Sequence, residues 1–165
     1  MSVDELIRRA TSARDLAHAR TLFETYAASL DVDLCFQNFS EELATLPGAY
    51  APPHGRLLLL GPSASPTGCI ALRPLPENGF VTVAGSAGEV KRLYVAPAAR
   101  GSGAGRALVD AIVNEARTIG YRNLMLDTLA TMTAARALYA SVGFRPCAAY
   151  YANPLAGTVY MTLDL

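Results

Sequence analysis

The chain has 165 residues, 52% hydrophobic and 17% charged, with 14 basic and 14 acidic side chains. That is a globular composition, long enough to bury a core, and its neutrality supplies neither a basic stripe for nucleic acid nor a polybasic patch for a membrane surface. Apolar runs such as Leu57-Leu58-Leu59-Leu60 are too short to span a bilayer.

The N-terminal residues Met1-Ser2-Val3-Asp4-Glu5 show no basic segment leading into an apolar one, so no signal peptide and a cytoplasmic location are expected. Residues 6–9 read as a short strand. Ser12 is placed as an N-cap with Asp15 three residues on. Leu16, Ala19, Phe23, Tyr26, Ala27 and Leu30 recur at helical spacing, a helix of about five turns. Residues 31–39 are irregular. A second, shorter helix starts at Ser40, with Glu41 and Glu42 in its first turn, and stops at Pro47-Gly48. Arg56–Leu60 reads as a central strand, residues 61–67 as a hairpin connection and Gly68–Arg73 as the returning strand. Residues 80–83 are either an edge strand or part of a flexible loop reaching Gly88. A central strand over Glu89–Val95 follows, then an amphipathic helix over Arg106–Ile119 that Gly120 stops. Asn123–Leu129 is a strand, Thr131–Val142 a last helix ended by Gly143, and Phe144–Tyr151 and Thr158–Leu163 are final strands. The pattern predicts one domain over residues 1–165 with a mixed α/β sheet. Cys35, Cys69 and Cys147 are widely spaced and have only His18 and His54 for company, which predicts buried free thiols, with no disulfide framework and no metal site.

The informative stretch is Glu89 to Gly105, a strand running into Ala99-Arg100-Gly101-Ser102-Gly103-Ala104-Gly105 and then a helix. Unpaired N–H groups and the helix dipole make such a junction a seat for phosphate, and glycine lets the backbone come close. Two nucleotide motifs fail on spacing. A G-x-x-x-x-G-K-[ST] loop starting at Gly101 meets Arg106, and a G-x-G-x-x-G fingerprint starting at Gly101 or Gly103 meets Arg106 or Leu108. The pattern that fits is R-x-x-G-x-G, filled by Arg100, Gly103 and Gly105. Downstream, Ala135-Arg136-Ala137-Leu138-Tyr139-Ala140-Ser141-Val142-Gly143-Phe144 fits A-x-x-L-Y-x-x-x-G-F.

Together these two signatures resemble those of the GCN5-related N-acetyltransferase (GNAT) superfamily, over about residues 89–145. The resemblance implies a central six- to seven-stranded, mostly antiparallel sheet with about four helices on its faces. It also implies a splayed parallel strand pair that binds acetyl-CoA. The pyrophosphate would lie over Arg100, Gly101, Ser102, Gly103, Ala104 and Gly105, with Arg100 or Arg106 adding charge, and the pantetheine arm would run along Leu93, Tyr94 and Val95. The asparagine that many members carry at the start of the last helix is missing, and Thr128, Thr131 or Thr133 could supply a hydroxyl there.

The resemblance implies direct acetyl transfer to an amine, such as that of a small molecule, an amino acid, a protein lysine or an N-terminus. Tyr139 would be the general acid for the leaving thiolate. Glu89, eleven residues before Arg100, would be the base for the amine, with Asp127 the next candidate and His54 a third. In strict alternation Glu89 shares a face with Leu93 and Val95, although a bulge would change this. Residues 31–50 hold Asp31, Asp33, Glu41 and Glu42 and no Lys or Arg, which suggests a cationic acceptor. Phe36, Gln37 and Tyr150 are candidates for the acceptor pocket. A monomer and a homodimer are both compatible with the sequence. The alternative reading is a non-catalytic acyl-CoA-binding or interaction module on the same fold.

Overall fold

Alternation and helical periodicity place the apolar residues of this chain on the two faces of one sheet. The computed structural model describes residues 3, 6–75 and 87–165, without the side chain of Phe36. The expected strand or loop at residues 80–83 falls outside them. The strands are β1 (Ile7–Arg9), β2 (Arg56–Leu60), β3 (Gly68–Pro74), β4 (Ala87–Val95), β5 (Asn123–Leu129), β6 (Arg145–Cys147) and β7 (Thr158–Asp164), and the helices are α1 (Ala13–Ala28), α2 (Phe39–Thr45), α3 (Ala104–Ile119) and α4 (Thr133–Val142). They form a seven-stranded sheet of order β1-β2-β3-β4-β5-β7-β6. Every neighbouring pair is antiparallel except β4 and β5.

One face packs against α3 and α4. Leu108 and Ile112 of α3 are fully buried with Leu58, Ile70, Leu72, Val90 and Leu124 of the strands, and each such side chain contributes about 2 kcal/mol by leaving water. The other face packs against α1, whose Ala19, Leu22 and Phe23 meet Leu57, Leu59, Cys69 and Tyr94. Ser12 caps α1 through the expected reciprocal pair. Its hydroxyl accepts from the Asp15 N–H at 3.1 Å, and the Asp15 carboxylate accepts from the Ser12 N–H at 3.2 Å.

Several boundaries differ from expectation. Helix α2 begins at Phe39 and ends at Thr45, and a 3-10 turn over Gly48–Tyr50 then buries Tyr50. Helix α3 begins two residues early, because Gly103 at φ 85° closes the loop directly into the first turn. Helix α4 begins at Thr133. The strand expected over Phe144–Tyr151 shrinks to Arg145–Cys147, which pairs with β7 from Thr162 to Tyr160. Beyond it the chain leaves the sheet, because the Tyr150 and Tyr151 hydroxyls turn inward to the Glu89 and Asp127 carboxylates. The cysteines are free, but only Cys69 is buried, with its thiol pushed up to about 12 by desolvation; Cys35 is exposed and Cys147 intermediate.

Candidate active site

The site is a gap in the sheet. Strands β4 and β5 pair in parallel only over Ala87–Glu89 with Asn123–Met125. From there β4 continues to Val95 on β3 and β5 continues to Leu129 on β7, each held along its outer edge while their shared edge opens. The backbone groups on the inner edges of Val90–Val95 and Leu126–Leu129 therefore have no partner in the other strand and face a slot that a ligand can enter.

A bulge in β4 accompanies the opening. The β3 register steps from Cys69↔Tyr94 to Ala71↔Lys91, so an extra β4 residue is accommodated there. That residue is Arg92, at φ 60°, whose carbonyl accepts from the Cys69 thiol at 3.4 Å. The extra residue changes which side chains share a face. Val90, Leu93 and Val95 pack toward α3 and α4. Glu89, Lys91, Arg92 and Tyr94 project to the opposite face, so strict alternation fails and Glu89 does not share a face with Leu93 and Val95.

Two neighbouring spaces occupy the slot. The outer one, a groove of about 480 Å³, is bordered by Leu93–Val95, by Arg100, Gly101 and Gly105 of the loop, and by Thr131 and Thr133. The inner one, a cavity of about 50 Å³, is bordered by Lys91, Arg92, Gln37, Asp127, Thr128 and Tyr139 among others. Tyr26, Leu93, Met132 and Ala135 line both, so the two are neighbours along the slot between the glycine loop and Tyr139.

The loop fits a phosphate-bearing ligand. No side chain caps the N-terminus of α3, and a Cβ added at Gly103 would meet nothing within 4 Å, so the first-turn N–H groups are open. At Gly105 a Cβ would come within 3.2 Å of Leu138, so this glycine sets the close approach of α3 to α4. Arg100 folds back to donate from Nε to the Val95 carbonyl at 2.9 Å, and the Ser102 hydroxyl donates to the Ala99 carbonyl at 2.8 Å. Ala104 is buried in the core, while Arg106 is exposed and pairs with Asp110 at 2.8 Å. Of the sequence candidates, Leu93, Tyr94, Val95, Arg100, Gly101, Gly105 and Thr131 border the groove, whereas Ser102, Gly103, Ala104 and Arg106 surround the helix end outside it. Thr128 borders the inner cavity instead.

Tyr139 sits at the inner end, 7% exposed, edge-on to Phe144 at 5.6 Å. Burial, with Tyr26 and Asp127 nearby, raises its pKa well above the ordinary phenol value. It therefore holds its proton more firmly than an ordinary phenol. Glu89 is not with it. Glu89 lies at the closed end of the strand pair, 2% exposed, ion-paired to Arg73 at 2.7 Å and accepting from the Tyr150 hydroxyl at 2.7 Å. The carboxylate that does share the cavity with Tyr139 is Asp127. Burial pushes Asp127 up, but Lys91 at 3.1 Å and the Tyr151 hydroxyl at 2.7 Å outweigh it and hold the group below the usual carboxylate range. His54 is exposed on the loop before β2, borders neither space, and contributes only a carbonyl, to the Tyr121 hydroxyl.

The α1/α2 face carries a pattern that sequence reasoning missed. Three cation–carboxylate pairs stand side by side, and each carboxylate also accepts a tyrosine hydroxyl: Arg73–Glu89–Tyr150, Lys91–Asp127–Tyr151 and Arg92–Glu42–Tyr50. Glu42, from the acidic stretch 31–50, is thus already neutralised by Arg92, while Asp33 accepts from the Cys35 N–H. The signal was present in the charges at 89, 91 and 92 inside a central strand, since buried charges need partners. Which partners they find depends on the bulge.

A mixed sheet whose parallel pair splits beside an open helix N-terminus, with a buried phenol at the end of the slot, is built to take a long ligand that ends in phosphate. Comparison with known proteins agrees. The profile described as the Acetyltransferase (GNAT) family matches residues 19–144, and the chain belongs to that family. It is 37% identical over 153 residues to an uncharacterized N-acetyltransferase of Schizosaccharomyces pombe, covering 92% of this chain and 90% of that one. Among solved structures it shares the fold of an acetyltransferase of GNAT family from Staphylococcus aureus (TM-score 0.74, 14% identity, 96% and 98% of the chains covered). It also shares the fold of yncA from Salmonella typhimurium, solved with its cofactor acetyl-CoA (TM-score 0.64, 21% identity, 96% and 92% covered).

Proposed function

We propose that this chain transfers the acetyl group of acetyl-CoA directly to a primary amine, without a covalent acyl-enzyme. The observation that carries the reading is the slot formed where β4 parts from β5, with adjacent spaces beside the open end of α3 and beside Tyr139. Acetyl-CoA supplies a thioester, whose activated acetyl group an amine can displace. The first-turn N–H groups of α3 and the Gly101–Gly105 loop hold its pyrophosphate. The open inner edge of β4 at Leu93–Val95 hydrogen-bonds the pantetheine arm as an added strand would. Tyr139 keeps a proton for the departing sulfur, and its burial ensures that the proton is present at working pH.

On the acceptor side, Asp127 borders the cavity, whereas Glu89 is enclosed by Arg73 and Tyr150. Asp127 orients the amine through a hydrogen bond; its lowered pKa makes it a weak base, so the amine loses its proton to water on the way in. No cysteine borders either space, which supports direct transfer over a thioester-linked enzyme. The test is thiol release from acetyl-CoA across an amine panel. Tight CoA binding with no release for any amine would replace this reading with that of a binding module.

A further inference from the structure

We propose that the acceptor is an amino acid with an apolar side chain, an amine that carries its own carboxylate into the cavity. The proposal rests on the acetyl-transfer reading above and names the acceptor for it. The charged groups around the cavity have already matched one another. Asp127 accepts from Lys91 at 3.1 Å, from Tyr151 at 2.7 Å and from Asn153 at 3.4 Å. Arg92 gives three N–H groups to Glu42 and Gln37, which also occupies the amide oxygen of Gln37.

What remains unused is donor capacity. Among the described residues, Lys91 makes one hydrogen bond and keeps its other N–H groups, Arg92 retains further N–H groups, and the amide nitrogen of Gln37 is left over. All three side chains border the cavity. The side-chain carboxylate and amide oxygens beside them are already hydrogen-bonded, so these side chains suit an anion better than a cation. The wall also has an aliphatic part, Leu30, Val32, Leu34 and Leu155, beside the hydroxyl-bearing Tyr26, Thr128 and Tyr139.

Chemistry selects among amines. Only the neutral amine attacks a thioester. A polyamine or lysine side chain in that form brings no anion to meet the unused donors. In its charged form it brings a cation to carboxylates that are already paired. An amino acid with a neutral amine is an anion, and its carboxylate matches Lys91, Arg92 and Gln37. Its amine then lies toward Asp127, and its side chain lies against the leucine and valine wall. In the step itself the amine nitrogen bonds to the acetyl carbon, the carbon–sulfur bond breaks, the sulfur takes a proton from Tyr139 and the nitrogen loses one to water, from which Tyr139 is reprotonated.

The experiment compares the wild-type protein's thiol release from acetyl-CoA with leucine, leucinamide, isoamylamine and spermidine. Leucinamide has the lower amine pKa, so it would react faster if the carboxylate were irrelevant. We expect kcat/KM for leucine to exceed that for leucinamide and isoamylamine by about tenfold or more. Equal or better use of the amide, isoamylamine or spermidine overturns the amino-acid assignment and leaves acetyl transfer standing. If no acceptor releases thiol, acetyl transfer is what fails, and calorimetric titration of leucine and leucinamide into CoA-saturated protein still decides the cavity. Leucine binding about tenfold tighter supports the proposal, and equal or weaker binding overturns it.

Discussion

Replacing Glu42 by alanine tests whether the acceptor wall and the cofactor strand are built as one unit. Arg92 is the bulge residue, held at φ 60°, and its side chain is 3% exposed. A left-handed conformation costs a non-glycine residue about 1–2 kcal/mol. The side chain offsets that through Glu42, Gln37 and the ring of Phe39, over which its guanidinium sits at 5.1 Å. Burial opposes the Arg92 charge, but the Glu42 carboxylate outweighs it and raises the guanidinium pKa. Removing that carboxylate strands a buried cation and the Tyr50 hydroxyl together. Breaking such a buried pair costs about 3–5 kcal/mol. For a chain of this length that is a fall in Tm of about 10 °C. Glu42→Gln keeps an acceptor oxygen without the charge and should lose about half as much free energy. Urea denaturation of both variants gives the free energies. Acetyl-transfer kinetics should show KM for the acceptor rising more than KM for acetyl-CoA, because Arg92 and Gln37 border the inner cavity and not the loop groove. A loss below about 1 kcal/mol for Glu42→Ala, the worth of an exposed ion pair, would refute the coupling.

Three further outcomes follow from the same geometry. Tyr139→Phe should lower kcat by about 10²–10⁴-fold with CoA affinity, measured by calorimetry, nearly unchanged; unchanged turnover removes the acid role. Because burial raises the Tyr139 pKa, the wild-type rate at saturating substrates should show no descending limb near about pH 10, the ordinary phenol value, and a limb there would contradict a buried proton donor. Asp127 has a lowered pKa in the folded protein, so it contributes stability above its unfolded value of about 3.9 and loses it as pH falls through the folded value. The urea midpoint of the wild type should therefore fall more steeply below about pH 4 than that of Asp127→Asn, and parallel curves would show that the Lys91–Asp127 pair is not stabilising.

Gly103→Ala isolates backbone conformation, since the added Cβ meets nothing within 4 Å while φ is 85°. The cost should be about 1 kcal/mol with weakened CoA binding, and unchanged affinity would place the pyrophosphate elsewhere.

Much of the scaffold was legible because local patterning and tertiary burial agree. The capping pair at Ser12 and Asp15, the apolar stripe of α3 and the stops at Gly120 and Gly143 all appear where the sequence puts them. The donor half of the site was legible for the same reason: a glycine at φ 85° beside an uncapped helix is a local device. Tyr150 and Tyr151 misled because an aromatic run reads as strand. Their hydroxyls instead satisfy buried carboxylates distant in sequence, and this overrides strand propensity.

The acceptor half depended on one residue of register. Without the bulge at Arg92, alternation would put Lys91 and Leu93 on the same face and send Arg92 into the α3 core. With it, Lys91 and Arg92 fall on the same face as Glu89, and Leu93 moves to the face beside α3 and α4. The same distortion lies where β4 parts from β5, so the slot proposed for the donor and the charged floor proposed for the acceptor arise together. A cationic acceptor was the natural expectation from a stretch rich in Asp and Glu. The bulge delivers Arg92 to Glu42 and Lys91 to Asp127, and this pairing supports the proposed anionic amino acid over a cation.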